Sequence, residues 1–414
     1  MFRFTNLIIF RMTKDCNLNC SYCFMKDKEE DKGKLISFEL YRKITDRIAE
    51  QRVVSGKENE ELSFILHGGE VLLLGEKELY KRLDYAKNVF DKNNLNYNFG
   101  CQSNITLLTD DIAKVLQKFD VKIGVSFDGI DGANNARCSF SQEFFEEKFT
   151  LLEDSKVDFG FIGIATKDNV DKIETTKRYM DKISGSYKIN FVEEMIDAES
   201  KIELTGKEFF ELVAKPEIDN LIEGIKPKDS SIQALLMSTL IDILTEHETT
   251  SKSGCDSRWC GTGISMIGIE PNGTINYCDR HSESFPEIYM MNALDYDFLG
   301  LYQLKKVIEK GKITDKTYKE TGCDTCYASY ICSHGCDAFY YSKHKKHGID
   351  QVLICGYYKS FYSYILKNLD SILQSCVDNN FKVLSNDKIK SLKKFNIKNK
   401  ISATMNSLEI SSDM

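Results

Sequence analysis

"FTNLIIFRMTKDCNLNCSYCF", residues 4–24, runs from an apolar, β-branched stretch straight into three cysteines, Cys16, Cys20 and Cys23. Residues 4–12 have the composition of a buried strand. The cysteines therefore stand at the end of a strand, where the chain turns toward its first helical pattern. A disulfide uses two sulfurs, and a structural zinc site takes four ligands. Three thiols leave one place open. The spacing C-x3-C-x2-C arises by chance in roughly one chain in sixty of this cysteine content, so its position at a strand–helix junction matters as much as the spacing itself.

Five more strand-like runs follow: "LSFILH" (62–67), "NYNFGCQS" (96–103), "VKIGVSFD" (121–128), "VDFGFIGIAT" (157–166) and "YKINFVEE" (187–194). Amphipathic stretches separate them. In one, Leu79, Leu83, Ala86 and Phe90 recur at three- and four-residue steps and can share a helix face. In another, "LTDD" before "IAKVL" supplies helix-start chemistry. Alternating strands and helices imply a parallel sheet with right-handed crossovers. The expected fold is α/β, a partial (β/α)6 barrel of TIM type over residues 1–215, although an open doubly wound sheet has the same signature. In a barrel the reactive groups sit at the C-terminal strand ends. That rule puts Cys16, "HGGE" (67–70) and Asp128 on one rim. Residues 216–253 read as a helical linker and 254–360 as a cysteine-rich domain. Residues 361–414 close the chain, with one helix expected over 358–378 and a polar tail after it.

The 414 residues, 42 % of them apolar, suffice for a large core and a second unit. No run is long enough for a membrane span, and the opening apolar run lacks a cleavage site, so it reads as a strand and not a signal peptide. A formal charge of −8 argues against nucleic acid as a partner. Fourteen cysteines without an export signal fit metal or redox work in the cytoplasm better than a disulfide scaffold. Eight lie in 254–360: Cys255, Cys260, Cys278, Cys323, Cys326, Cys332, Cys336 and Cys355. The preset spacing C-x2-C-x5-C-x3-C from Cys323 recurs by chance in roughly one such chain in two thousand. Asn272-Gly273 is a hairpin signal that places Cys278 at a strand end. A pair of structural zinc knots would use the same thiols. Cys101, Cys138 and Cys376 read as buried thiols, and "HKKH" (344–347) as a solvated face.

"CNLNCSYCF" resembles the cluster motif of radical S-adenosylmethionine enzymes, and the second cysteine array resembles the SPASM extension of those that modify peptides and proteins. The resemblance implies a four-iron (4Fe-4S) cluster on Cys16, Cys20 and Cys23. Its open iron chelates S-adenosylmethionine, which is cleaved reductively to a 5′-deoxyadenosyl radical that takes hydrogen from the substrate. It also implies contacts to that cofactor from Gly68, Gly69 and Glu70, from Asn104 in "CQSN", and from Ser126 and Arg137. Two auxiliary 4Fe-4S clusters would follow, one on Cys255, Cys260, Cys278 and Cys336, the other on Cys323, Cys326, Cys332 and Cys355.

Among SPASM enzymes the chain most resembles anaerobic sulfatase maturases, in which an Asp at the position of Asp279 is the proposed base. It departs from them in reading "GGEV" for Gly-Gly-Glu-Pro and "QSNI" for Gln-Thr-Asn-Gly, and in lacking their Gly-Gly-Cys. The expected activity is oxidation or crosslinking of a peptide or protein side chain. Ribosomal-peptide maturation ranks before formylglycine formation, with a non-catalytic iron–sulfur electron carrier as the reading of another class. A flavodoxin or ferredoxin is the expected electron donor.

Overall fold

The computed structural model describes residues 5–23, 35–192, 202–245, 265–276, 292–295, 323–330, 353–379 and 381. They divide into two units. The first is drawn from Met1–Ile164, Asp171–Ser200 and Gly261–Ile313, and the second from Ala165–Val170, Lys201–Cys260 and Thr314–Met414.

In the first unit, six strands, β1 (Leu7–Thr13), β2 (Leu62–Gly68), β3 (Tyr97–Ser103), β4 (Lys122–Ser126), β5 (Phe159–Ala165) and β6 (Tyr187–Phe191), lie side by side in chain order. The pairs from β1 to β5 are parallel. Helices α1 (Phe38–Val54), α2 (Gly75–Lys92), α3 (Asp110–Lys118), α4 (Gln142–Asp154) and α5 (Ile173–Ser184) separate them. A doubly wound sheet reverses its order at a switch point. This one does not, which selects the barrel-type winding. The sheet continues beyond β1 into β7 (Met266–Ile269), which is parallel to it, and β8 (Ile275–Asn276), which is antiparallel to β7. The expected hairpin turn is present, with Gly273 at φ +85° and its amide bonded to the Glu270 carbonyl.

Strand alternation sorts the side chains. Phe10 and Phe64 turn to the helix layer, with Phe10 stacked on Tyr41 of α1 at 5.4 Å and Phe64 edge-on to Phe90 of α2 at 5.4 Å. Phe127 and Phe161 do the same around Phe149 of α4. These rings are fully buried, each contributing roughly 1.5–3 kcal/mol. The opposite face carries Ile9, Ile65, Gln102, Ile162 and Ile164, all half-buried. Ser37 caps α1 by accepting from the Leu40 amide, and Thr109 of the "LTDD" signal caps α3.

The second unit is helical: α6 (Gly206–Phe209), a π turn over Phe210–Ala214, α7 (Lys215–Ile222), α8 (Ser230–Thr245), α9 (Leu353–Lys367) and α10 (Leu369–Asp378). Thr205 and Glu208 close α6 with a capping box. The single closing helix expected over 358–378 is instead two, and the first of them starts at Leu353, so Cys355 sits in its opening turn. The break falls at Asn368, whose side-chain amide donates to the Tyr364 carbonyl at 2.9 Å and competes with the helical ladder there.

Candidate active site

The end of β2 meets the cysteine loop through backbone. Gly68 pairs with Thr13, the Gly69 amide donates to the Thr13 carbonyl at 2.9 Å, and the Glu70 amide to the Asp15 carbonyl at 2.8 Å. A β-carbon on Gly69 would stand 2.1 Å from the Asp15 carbonyl oxygen. One on Gly68, itself at φ +147°, would stand 2.3 Å from that of Thr13. Both glycines are thus required by the approach of two backbones.

Glu70 is 1 % exposed and fully engaged: it accepts from the Leu72 amide, the Ser103 hydroxyl and the Asn104 amide. Burial nevertheless holds its carboxyl above the usual range, with those three bonds opposing the shift. Asn104 in turn donates to Asn17 at 3.1 Å and reaches the Cys16 sulfur at 3.8 Å, and Asn17 donates to Thr106 at 2.7 Å. The end of β3 therefore holds the first half of the cysteine loop. Ile105, at the position where "QSNI" departs from Gln-Thr-Asn-Gly, sits at φ +53°, an unusual place for a β-branched residue.

The loop after β4 holds the second half. The Ser21 amide donates to the Ala136 carbonyl at 2.8 Å. The Tyr22 hydroxyl donates to one oxygen of Asp128, and Arg137 donates to the other at 2.8 Å with its guanidinium 5.6 Å from the Tyr22 ring. Ser126 lies at the end of β4 and accepts from Gln102 at 3.4 Å, while Gln102 meets His67 at 3.3 Å. This polar row across β2, β3 and β4 was not foreseen. Its sequence signal is that His67, Gln102 and Ser126 lie at or within two residues of the ends of three strand-like runs.

All three loop thiols are free. Burial pushes the Cys20 thiol up to about 11. Arg137 opposes the shift, and Cys23, Asp128 and Cys16 add to it. Cys16 is raised as well, by desolvation first, with the Leu18 amide opposing and Glu70 and Cys23 adding. The sulfurs thus feel one another's charge, and a cationic metal centre would relieve that cost. Among the described residues no three His, Cys, Asp or Glu side chains close on a point that would hold a single metal ion. A multi-iron cluster spaces its thiolates more widely, and the donor set of three soft sulfurs fits it. The buried Arg137 Nε, which has no hydrogen-bond partner in the structure, fits a carboxylate-bearing cofactor beside it.

A second sulfur group lies in the helical unit. Burial raises the Cys355 thiol, Cys323 and Cys326 add to the shift, and Lys359 opposes it. The turns Cys323–Thr325 and Tyr327–Tyr330 are held there by Ala328, packed with Tyr362 and Leu366 of α9. Cys255, Cys260, Cys278, Asp279, Cys332 and Cys336 lie outside the described residues. Cys101 and Cys376 are buried, and Cys138 is half-buried and accepts from Asn134 at 3.4 Å. In the sheet, Arg11 of β1 and Glu270 after β7 form a buried ion pair at 2.5 Å, with Lys14 4.0 Å from the other Glu270 oxygen.

Residues 10–180 match the family model described as the radical SAM superfamily. They form a radical SAM domain, and the protein is an enzyme. A cysteine-type anaerobic sulfatase-maturating enzyme of Clostridium perfringens is 23 % identical over 381 residues, covering 89 % of this chain and 98 % of the relative. The radical SAM cyclopropyl synthase TigE of Paramaledivibacter caminithermalis is 28 % identical over 39 % of this chain and 35 % of its own length. Among solved structures, native anSMEcpe with bound AdoMet superposes with a TM-score of 0.67 at 18 % identity, over 88 % of this chain and 98 % of that one. Streptococcus suis SuiB bound to S-adenosylmethionine gives 0.56 at 16 %, over 81 % and 74 %. The fold is shared with both. No helix among the described residues is long and apolar enough to cross a membrane.

Proposed function

We propose that this radical SAM enzyme abstracts hydrogen from a side chain of a peptide or protein and leaves that side chain oxidised or crosslinked. The observation that carries the reading is the loop of Cys16, Cys20 and Cys23, clasped by the ends of β2, β3 and β4 with the largely covered side chain of Arg137 beside it. The end-to-end similarity to a sulfatase-maturating enzyme and the fold shared with a structure of SuiB bound to its precursor peptide support a peptide substrate.

In this reading Cys16, Cys20 and Cys23 hold a 4Fe-4S cluster, which together with S-adenosylmethionine supplies the hydrogen-abstracting radical. The chain's own part is positional. Arg137 offers its free Nε to the cofactor carboxylate, and Ser126 offers its hydroxyl to it from the end of β4. Gly68, Gly69, Glu70 and Asn104 fix the loop that carries the first thiol. Cys323, Cys326 and Cys355, with Cys332, hold one auxiliary cluster, and Cys255, Cys260, Cys278 and Cys336 a second. Asp279 accepts the proton released as the side chain is oxidised.

Crosslinking or oxidation of a ribosomal peptide is the first substrate reading, supported by the departures from the maturase motif at Val71 and Ile105. Formylglycine formation is the second, favoured by the full-length similarity to the Clostridium perfringens enzyme. Anaerobic reconstitution followed by dithionite and S-adenosylmethionine tests the class: 5′-deoxyadenosine is expected, and a protein that holds its iron yet produces none overturns it. Mass spectrometry of a cysteine-containing peptide separates the substrates. A crosslink loses two hydrogens, whereas formylglycine also replaces sulfur by oxygen.

A further inference from the structure

The loop after β4 does more than line the cofactor's side of the site. Asp128 is 1 % exposed, and both of its carboxylate oxygens are used. One accepts the Tyr22 hydroxyl from the cysteine loop. The other accepts Arg137 at 2.8 Å and the Ile164 amide of β5 at 2.9 Å. Its own amide donates to Asn134 at 2.9 Å. A buried carboxylate is tolerated only when charge and hydrogen bonds are both supplied. Here Arg137 supplies the charge, Tyr22 and Ile164 complete the bonding, and the frame of β4 and β5 fixes the carboxylate plane. The phenol of Tyr22 is therefore tied through Asp128 to the Arg137 guanidinium. A phenylalanine would fill the same space without that tie.

We propose that Asp128 is a positioning residue that couples the two ends of the site: through Tyr22 it orders the segment carrying Cys20 and Cys23, and through Arg137 it aims the remaining guanidinium donors at the cofactor carboxylate. The coupling of the two arms rests on the functional reading above. The ordering of the loop by Asp128 does not.

The test begins on the full-length protein without metal, by hydrogen–deuterium exchange. Tyr22→Phe and Asp128→Asn both remove a bond made to or by a buried charge. Amides of residues 15–23 are expected to exchange roughly ten- to a hundredfold faster in each, while residues 62–103 of the same protein stay at the wild-type rate. Exchange of 15–23 in Tyr22→Phe within twofold of wild type overturns the proposal. Should Asp128→Asn loosen the whole sheet, Tyr22→Phe decides alone, since it deletes one oxygen. In reconstituted Tyr22→Phe with wild-type iron content, affinity for S-adenosylmethionine is expected to fall several-fold. An unchanged affinity beside a loosened loop overturns the coupling. A wild-type protein that makes no 5′-deoxyadenosine defeats the functional reading and leaves the exchange comparison standing.

Discussion

Replacing Gly69 by alanine probes the joint on which the cysteine loop rests. The added methyl would lie 2.1 Å from the Asp15 carbonyl oxygen, 2.5 Å from its carbon and 2.7 Å from the Lys14 oxygen. Ordinary contact begins near 3.4 Å, so the Asp15 carbonyl must retreat by about 1.3 Å. All three atoms are backbone, so no side-chain rotation relieves the overlap. The retreat opens the bond from the Glu70 amide to that same carbonyl and strains the one from Gly69 to Thr13. Two weakened buried bonds at about 1 kcal/mol each, with an overpacking cost of about 1–3 kcal/mol, give a destabilisation of about 3–5 kcal/mol. Gly75→Ala is the control: Gly75 has positive φ, +67°, but nothing lies within 4 Å of its missing β-carbon. Its cost is therefore conformational alone, about 1–3 kcal/mol for a backbone at φ +67°, ψ 170°. Anaerobic denaturant titration of both variants, with iron counted after reconstitution, makes the comparison. Gly69→Ala is expected to lose more stability than Gly75→Ala and to hold less iron. Equal losses, or a Gly69→Ala protein that fills with iron like wild type, would refute the close-approach argument.

Other outcomes follow from the same geometry. Arg11→Met strips the buried Glu270 of its 2.5 Å partner and should cost about 3–5 kcal/mol, whereas Arg11→Met with Glu270→Leu should cost less than the two single changes summed, measured as a double-mutant cycle in denaturant. At Ile105, buried and at φ +53°, the usual order of alanine over glycine should reverse. Both variants should lose about 2–5 kcal/mol of packing, but Ile105→Gly should match or exceed Ile105→Ala in stability, because only glycine enters that conformation without strain. Burial pushes the Cys20 and Cys376 thiols from 9.0 up to about 11, so the metal-free fold keeps them protonated while the unfolded chain ionises. The stability they lend is whole below pH 9.0 and drains away as pH rises toward about 11. Cys376→Val should flatten that alkaline decline in denaturation midpoints.

Much of this protein was legible before any coordinates. The three thiols after a β-branched run, the alternation of short strands with amphipathic helices, the Thr109 cap and the Asn272-Gly273 turn are all local patterns. Each is written within a few residues, at the scale where backbone geometry and side-chain period act. The closing helix was legible in kind but not in its break, because Asn368 reads as an ordinary polar residue until its amide is seen on the Tyr364 carbonyl.

What the chain order alone determined was the class of fold and the place of the first three thiols after a strand, since spacing and period are short-range properties of the covalent chain. The tertiary structure decided the winding of the sheet and the reason for Gly68 and Gly69. It also decided the pairing of Arg11 with Glu270, 259 positions away, and of Tyr22 with Asp128, 106 away. Such contacts depend on which strands become neighbours. That is settled by the burial of the whole aromatic layer at once, and no window of sequence contains it.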